Sequence, residues 1–302
     1  MKDIFVVGAQ KAGSTFLHNL LAENDFLAEP PVKEPHFFSS SLWPGQAWPS
    51  LFAHADASMR LDSSVSYLHI PSSASRIHAD RGEGAYVFAV VRDPVERAVS
   101  AYFHSLKHGR EVRRAKDVFA VSGTTYEQIR QEEEVRLEAA FARGACIMRE
   151  TSATQHSDRV YHDPSFNYRY IANSFYADQL APYLSMFPNL KVIDFKFLVR
   201  NPEVVVSRIS DLLGRPLAPP ARGGQDKNST RVDRQIVMKR QYRNLSRASG
   251  HLRGGLTLLR NMPAILQLEF DARKIVRDVE AAPWAAPARA SYEALLASNH
   301  ML

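Results

Sequence analysis

A chain of 302 residues with 45% hydrophobic content is long enough for one large α/β domain or two small ones. Its net charge of +6 and pI near 9.4 favour anionic partners such as nucleotides, acidic glycans, nucleic acid or an anionic membrane. The single cysteine, Cys146, excludes an intrachain disulfide and argues against a cysteine-based metal site.

The first strand is read from Ile4 to Val7, which leaves no room for a signal or transit peptide, and no apolar run approaches the ~20 residues of a membrane span. A cytoplasmic protein is expected. After the strand, Gly8, Gly13 and Thr15 keep the GxxxxGK[ST] spacing of an ATP-binding loop, but Ser14 stands where that loop has its lysine, and the lysine comes early, at Lys11. Phe16, Leu17, Leu20 and Leu21 follow at helical spacing. Strand, glycine loop and helix is the pattern of a phosphate site in which the amides of Gly13 to Phe16 face the anion. A tight turn without a ligand has the same spacing.

Next comes "VKEPHFF", residues 32 to 38. Pro35 keeps the preceding residue off the helical conformation, so Glu34 is expected on extended backbone with its carboxylate projecting. The alternative is a surface carboxylate paired with Lys33. His36 is a candidate for proton transfer or for positioning by hydrogen bonds, and Phe37 and Phe38 are read as one core residue and one wall of a cleft. In "DSSVSYL", residues 62 to 68, Tyr67 is taken as a cleft residue.

"YVFAVV" from Tyr86 to Val91 reads as a buried parallel strand. "RDPVERAVSAYFHS" then opens a helix with Asp93 as N-cap, Pro94 at the first helical position and Glu96 closing a capping box. Val95, Val99, Tyr102 and Phe103 serve the core, leaving Arg97 and Ser100 on a face expected to meet a carboxyl-end crevice beside Arg92. Residues 107 to 143 are charge-dense and read as an exposed helical insertion. "YADQLAPYLSMF", the strand "LKVIDF" at 190 to 195, and "PEVVVSRISDLLG", capped by Gly214, continue the alternation. Residues 214 to 231 read as a long loop. The pattern as a whole predicts an α/β fold, a P-loop-like doubly wound parallel sheet flanked by helices, over residues 1–302 as one domain.

"QKAGST" and "RDPVERAVSAY" resemble the two nucleotide-binding signatures of sulfotransferases that use 3′-phosphoadenosine 5′-phosphosulfate (PAPS). "VKEPHFF" is similar to the acceptor-side segment of the heparan sulfate branch and its bacterial relatives. The resemblance implies a phosphosulfate loop of Lys11, Ala12, Gly13, Ser14, Thr15 and Phe16, with Lys11 on the bridging oxygen, and a 3′-phosphate site at Arg92 and Ser100. It implies Glu34 as general base, and a nucleotide-covering loop placed here at "DKNSTR", with Lys227 and Arg231 as candidates. No metal is implied, because a sulfuryl group carries less charge than a terminal phosphoryl group and a lysine beside the leaving phosphate can replace the lysine and magnesium pair of ATP chemistry. Animal relatives carry a lysine and a proline where this chain has Ser63 and Val65, which leaves the acceptor class open.

Two rival readings stand beside this one. A nucleotide kinase or NTPase is disfavoured by Ser14 and offers only Asp194 as a magnesium-holding strand residue. A noncatalytic polyanion-binding protein is suggested by Arg240, Arg243, Arg247 and Arg253, in a stretch without the aromatic interleaving of a stacking platform. The expected partners are therefore PAPS and a small-molecule or glycan acceptor, without nucleic acid.

Overall fold

The computed structural model describes residues 2–40, 43–52, 58–142, 166–220 and 232–302. Five strands form one sheet: β1 (Lys2–Gly8), β2 (Leu27–Ala28), β3 (Met59–Asp62), β4 (Tyr86–Val91) and β5 (Leu190–Asp194), in the order β2-β3-β1-β4-β5. Every pairing is parallel. The edge pair β2 and β3 was not anticipated; "LA" and "MRLD" are too short and too polar to show a strand period. In parallel sheets the pairing comes from the neighbour, and Leu27 and Ala28 lie opposite Met59 and Arg60.

The helices are α1 (Ser14–Ala22), α2 (Ser72–Arg81), α3 (Pro94–Lys107), α4 (Ala115–Val118), α5 (Tyr126–Ala142), α6 (Tyr176–Met186), α7 (Phe195–Arg200), α8 (Pro202–Leu213), α9 (Arg234–Ser249), α10 (His251–Leu266), α11 (Ala272–Glu280) and α12 (Ala285–Leu296). Alternate residues of the central strands go to opposite faces, as the period of two requires. Ile4, Val6, Phe88 and Val90 pack with Leu17, Leu21, Leu198, Val205 and Ile209 of α1, α7 and α8. Phe5, Val7, Val87, Ala89 and Val91 pack with Ile77, Leu180, Tyr183 and Leu295 of α2, α6 and α12. A third core, built by α3, α5 and the helices from α9 to α12, centres on Tyr102, Phe119, Tyr170 and Trp284.

Two local expectations are corrected. Asp93 does cap α3, accepting from the Glu96 amide at 2.9 Å, but the Glu96 carboxylate does not close the box; it turns to Arg92 and Lys196. Nor are residues 107–143 uniformly exposed: Glu133 of α5 is buried and accepts from the amides of Ile171 and Ala172 at 2.8 and 2.9 Å. Glu111 is buried as well and accepts from the amides of Val112 and Arg113 at 2.9 and 2.8 Å; charge density in the sequence hid these two inward-turned carboxylates.

Beyond α12 the chain returns to the sheet. Val192 donates to the His300 carbonyl at 2.8 Å and Leu302 donates to the Val192 carbonyl at 2.9 Å, so the outer edge of β5 is paired at its centre.

Candidate active site

Because all five strands run parallel, their carboxyl ends share one edge of the sheet, where ligands of open α/β sheets bind. The loop with Lys11 leaves β1 there, the segment with Glu34 and His36 follows β2, Ser63 to Ser66 follow β3, Arg92 follows β4, and Phe195 follows β5.

The β1 loop has an unusual backbone. Lys11 adopts φ 66° and Gly13 φ 101°, both in the region that favours glycine, so the chain doubles back before α1 begins at Ser14. Gly13 is required on a second ground: a Cβ there would lie 2.6 Å from Phe195 Cδ2. Lys11 therefore sits in the loop itself, ahead of the helix N-terminus. The Phe16 amide, expected to face the anion, donates to the Gly13 carbonyl at 2.9 Å. The donors that begin α1 thus narrow to the amides before it. Ala12 and Ser14 are buried, whereas Thr15 is half-buried.

The loop is pinned from behind. Arg97, expected in the crevice, is instead fully buried. Its guanidinium donates to the Gln10 carbonyl at 3.5 Å, to Ser174 Oγ at 2.7 Å and to the Tyr170 carbonyl. Gln10 Nε2 adds a bond to Asn167 Oδ1 at 2.9 Å. Sequence periodicity could not show this, since Arg97 falls on the boundary between the core face and the open face of α3.

On the open face, Arg92 donates from Nε and Nη2 to Glu96 Oε2 at 3.1 and 3.0 Å, with its guanidinium 4.9 Å from the centre of the Phe195 ring. Tyr176 fixes the backbone by donating to the Arg92 carbonyl at 2.8 Å. Ser100 is half-buried one turn beyond Glu96 on the same side of α3. His104 continues that line and packs against His108, with ring centres 4.4 Å apart and ring planes tilted by 55°. Burial, and then the charge of Lys11, holds His104 down at about 3; burial, Arg110 and Arg240 hold His108 at about 4. Both imidazoles are neutral at pH 7. Their i, i+4 spacing is itself the signal of a shared helix face.

On the other side of Lys11, Glu34 Oε1 receives a hydrogen bond from Lys33 Nζ at 2.9 Å, and its Oε2 lies 3.7 Å from His36 Nε2. His36, at φ 53°, is held twice: its amide donates to Ser64 Oγ at 2.9 Å and its Nδ1 shares a hydrogen bond with Ser66 Oγ at 2.6 Å. Ser64 in turn donates to Asp62 Oδ1 at 2.7 Å, while Tyr67 and Trp48 donate to Oδ2 at 2.7 and 3.2 Å. Asp62 is completely buried; burial pushes its carboxyl up, and these bonds pull it back. "DSSVSYL" is thus a support for His36. Tyr67 is buried, not a cleft residue, and Phe37 and Phe38 both belong to the core, packed edge to face at 4.9 Å. Alongside, His18 shares a hydrogen bond with Ser63 Oγ at 2.8 Å and lies 3.6 Å from Glu29, its imidazole lowered to about 4 by burial and then by Lys33.

Asp194, the residue a kinase would need for magnesium, is committed elsewhere: it caps α7 by accepting from the Phe197 amide at 2.9 Å and accepts from Tyr292. Among the described residues no group of three or more His, Cys, Asp or Glu is placed to hold a metal. Lys227 and Arg231 lie outside the described residues.

The arrangement joins a loop at a helix N-terminus, a cation within that loop and a carboxylate and imidazole pair on one sheet edge. The chain is similar in sequence and in fold to known proteins. A "Membrane-associated sulfotransferase kil1" of Dictyostelium discoideum is 23% identical over 266 residues, covering 70% of this chain. The matched region is 56% of that relative's length, so the chain spans little more than half of it. The crystal structure of a sulfotransferase from Alicyclobacillus acidocaldarius superposes with a TM-score of 0.51 at 23% identity, over 91% of this chain and 99% of that one. A sulfotransferase domain from the curacin biosynthetic pathway gives 0.43 at 13% identity, over 93% and 96%. The family described as the sulfotransferase domain matches residues 1–247, and the chain belongs to that family.

Proposed function

We propose that this enzyme transfers a sulfuryl group from PAPS to a hydroxyl or amine of an acceptor, a carbohydrate by preference. In this reading the loop from Lys11 to Thr15 holds the 5′-phosphosulfate, and Arg92 with Ser100 holds the 3′-phosphate. Lys227 and Arg231 are assigned to a loop that covers the nucleotide. Glu34 takes the proton from the acceptor as its oxygen or nitrogen bonds to sulfur. The bond from sulfur to the bridging oxygen breaks, its electron pair stays on the phosphate, and Lys11 meets the charge that develops there. His36, fixed by Ser64 and Ser66, orients the Glu34 carboxylate.

The observation that carries the reading is the position of Lys11, in the loop at φ 66° rather than on the helix. A cation there suits a reacting group close to the first phosphate. The single cysteine supports a reducing, cytoplasmic setting, and the membrane association in the name of the Dictyostelium relative supports action near a membrane.

The deciding experiment incubates the protein with PAPS and a panel of glycan and small-molecule acceptors and looks by mass spectrometry for an added sulfo group. Thermal melts with 3′-phosphoadenosine 5′-phosphate and with ATP and magnesium run beside it. A ligand at ~100 times its Kd stabilises by about 2.7 kcal/mol, and the 3′-phosphorylated product should give the larger shift. Equal stabilisation by ATP with magnesium would favour the kinase reading instead.

A further inference from the structure

The hairpin of α9 and α10 presents a surface that the active site does not use. Its two helices cross closely at Gly254, where a Cβ would lie 2.7 Å from the Ser246 amide nitrogen, and Ile265 and Asn261 of α10 turn inward. Outward stand Leu252, Leu256, Leu259 and Leu266, which are 79%, 60%, 67% and 56% exposed, with Pro263 also exposed. At 3.6 residues per turn, positions 252, 256, 259, 263 and 266 fall within roughly 80° of one another on the helix. They form one apolar stripe. Exposed single leucines need no explanation, but a row of four along a helix does.

The charge carried by the two helices themselves is of one sign. Residues 234–266 contain seven lysines and arginines and no aspartate or glutamate. Arg253 and Arg260 are exposed and follow Leu252 and Leu259 directly, so they flank the stripe along one side; Lys239, Arg243 and the half-exposed ring of Tyr242 stand out from α9. A second copy of the chain would bring like charges together. A nucleic acid would leave the leucines in water, and the hairpin offers only the rings of Tyr242 and His251 where a stacking platform needs a longer row. A lipid surface of negative charge satisfies both features: leucines enter the acyl boundary while arginines reach the headgroups.

We infer that the α9–α10 hairpin docks the protein peripherally on an anionic membrane, with α10 lying in the interface. Attachment through a surface stripe of leucines and arginines is reversible and salt-sensitive. The hairpin adjoins the active site: Asn244 Nδ2 donates to the His108 carbonyl at 2.9 Å, and His108 feels the charges of both Arg240 and Lys11.

The test is co-sedimentation of the full chain with vesicles of phosphatidylcholine alone and of phosphatidylcholine with phosphatidylglycerol. Binding to the anionic vesicles is expected, falling as salt is raised. Leu256→Ser with Leu259→Ser should cost ~10-fold in partitioning per leucine, and Arg253→Gln with Arg260→Gln about fivefold per arginine at low salt. Leu252→Ser with Leu266→Ser provides an independent second pair, and circular dichroism melts confirm that each variant folds. Absence of binding to anionic vesicles at low salt overturns the inference, as does binding that neither leucine pair diminishes. A wild-type dimer that the leucine variants convert to monomer would assign the stripe to a second copy and equally overturn it.

Discussion

Arg92 is held by Glu96, with both of its hydrogen bonds spent on Oε2 of that one carboxylate at 3.1 and 3.0 Å, while the flat side of the guanidinium rests on Phe195. The pair is part-exposed, so it contributes little to stability. Its consequence is competition. A 3′-phosphate can take the same guanidinium in a bidentate grip, and Glu96 would then face a dianion. Glu96→Gln is therefore expected to tighten 3′-phosphoadenosine 5′-phosphate binding by about threefold to tenfold, with no gain for the analogue lacking the 3′-phosphate. Arg92→Ala should weaken only the 3′-phosphorylated ligand. Calorimetric titration of both ligands checks the pattern, and a uniform loss for both would make Arg92 a purely structural residue.

Glu34→Gln keeps the size of the side chain and loses its basicity. If Glu34 takes the acceptor proton, turnover should fall by ~100-fold or more, about 2.7 kcal/mol of barrier, with nucleotide affinity nearly unchanged. Glu83→Gln, in the exposed turn after α2, is the control. Ser66→Ala removes one of the two holds on His36 and should lower turnover less than Glu34→Gln does. Full turnover in Glu34→Gln, under conditions where transfer limits the rate, would shift the base assignment to His36.

Gly13→Ala tests the loop. It places a methyl 2.6 Å from the Phe195 ring at φ 101°, combining a clash with a backbone conformation that alanine resists. A loss of about 2 kcal/mol or more is expected from chemical denaturation. Phe195→Ala in the same chain should relieve the clash but not the backbone strain, so recovery should be partial. Unchanged stability in Gly13→Ala would mean that the loop is shaped differently in solution.

Glu133 should leave a mark on the pH dependence of stability. Burial raises its carboxyl to about 7, against which two backbone amides and the charge of Arg97 pull. The folded state therefore holds its proton where the unfolded chain, near 4.5, has released it. Stability from this group is fully present below pH 4.5 and is lost as pH rises through 7, by about 3 kcal/mol at most. His69 acts with the opposite sign. Burial lowers its imidazole to about 3, so its contribution is present above pH 6.5 and is lost as pH falls toward 3. Urea melts from pH 4 to 8 should show Glu133→Gln with a flatter alkaline side than the parent. Parallel curves would refute the raised carboxyl.

What was legible in the sequence follows from where the physics is local. "YVFAVV" is apolar at every position because β4 is covered on both faces, and Gly8, Gly13 and the displaced Lys11 announce a loop with unusual backbone angles. Asp93 and Pro94 start α3 by rules that operate within four residues. The acceptor side was legible only as residue types. Nothing local in "DSSVSYL" says that Asp62 is buried under Trp48 and Tyr67, or that Ser64 and Ser66 hold a histidine about thirty positions away; those bonds exist only because β3 pairs with β1. Arg97 was misplaced for the same reason. Its partners come from two distant segments, Gln10 from the β1 loop and Tyr170 with Ser174 from the turn before α6, and helical spacing alone cannot distinguish a buried arginine with such partners from one that lines a cleft.

The buried guanidinium of Arg97 also fixes how far a ligand's influence should travel. It bridges the Gln10 carbonyl, beside Lys11, to the Tyr170 carbonyl, and the amides of Ile171 and Ala172 immediately after it are closed by Glu133. The β1 loop and this turn of the helical core can open only together or at the cost of an unpaired buried charge. Amide exchange should report that coupling: saturating the loop with nucleotide should slow deuterium uptake at Ile171 and Ala172, and Arg97→Met should confine the slowing to the loop and α1.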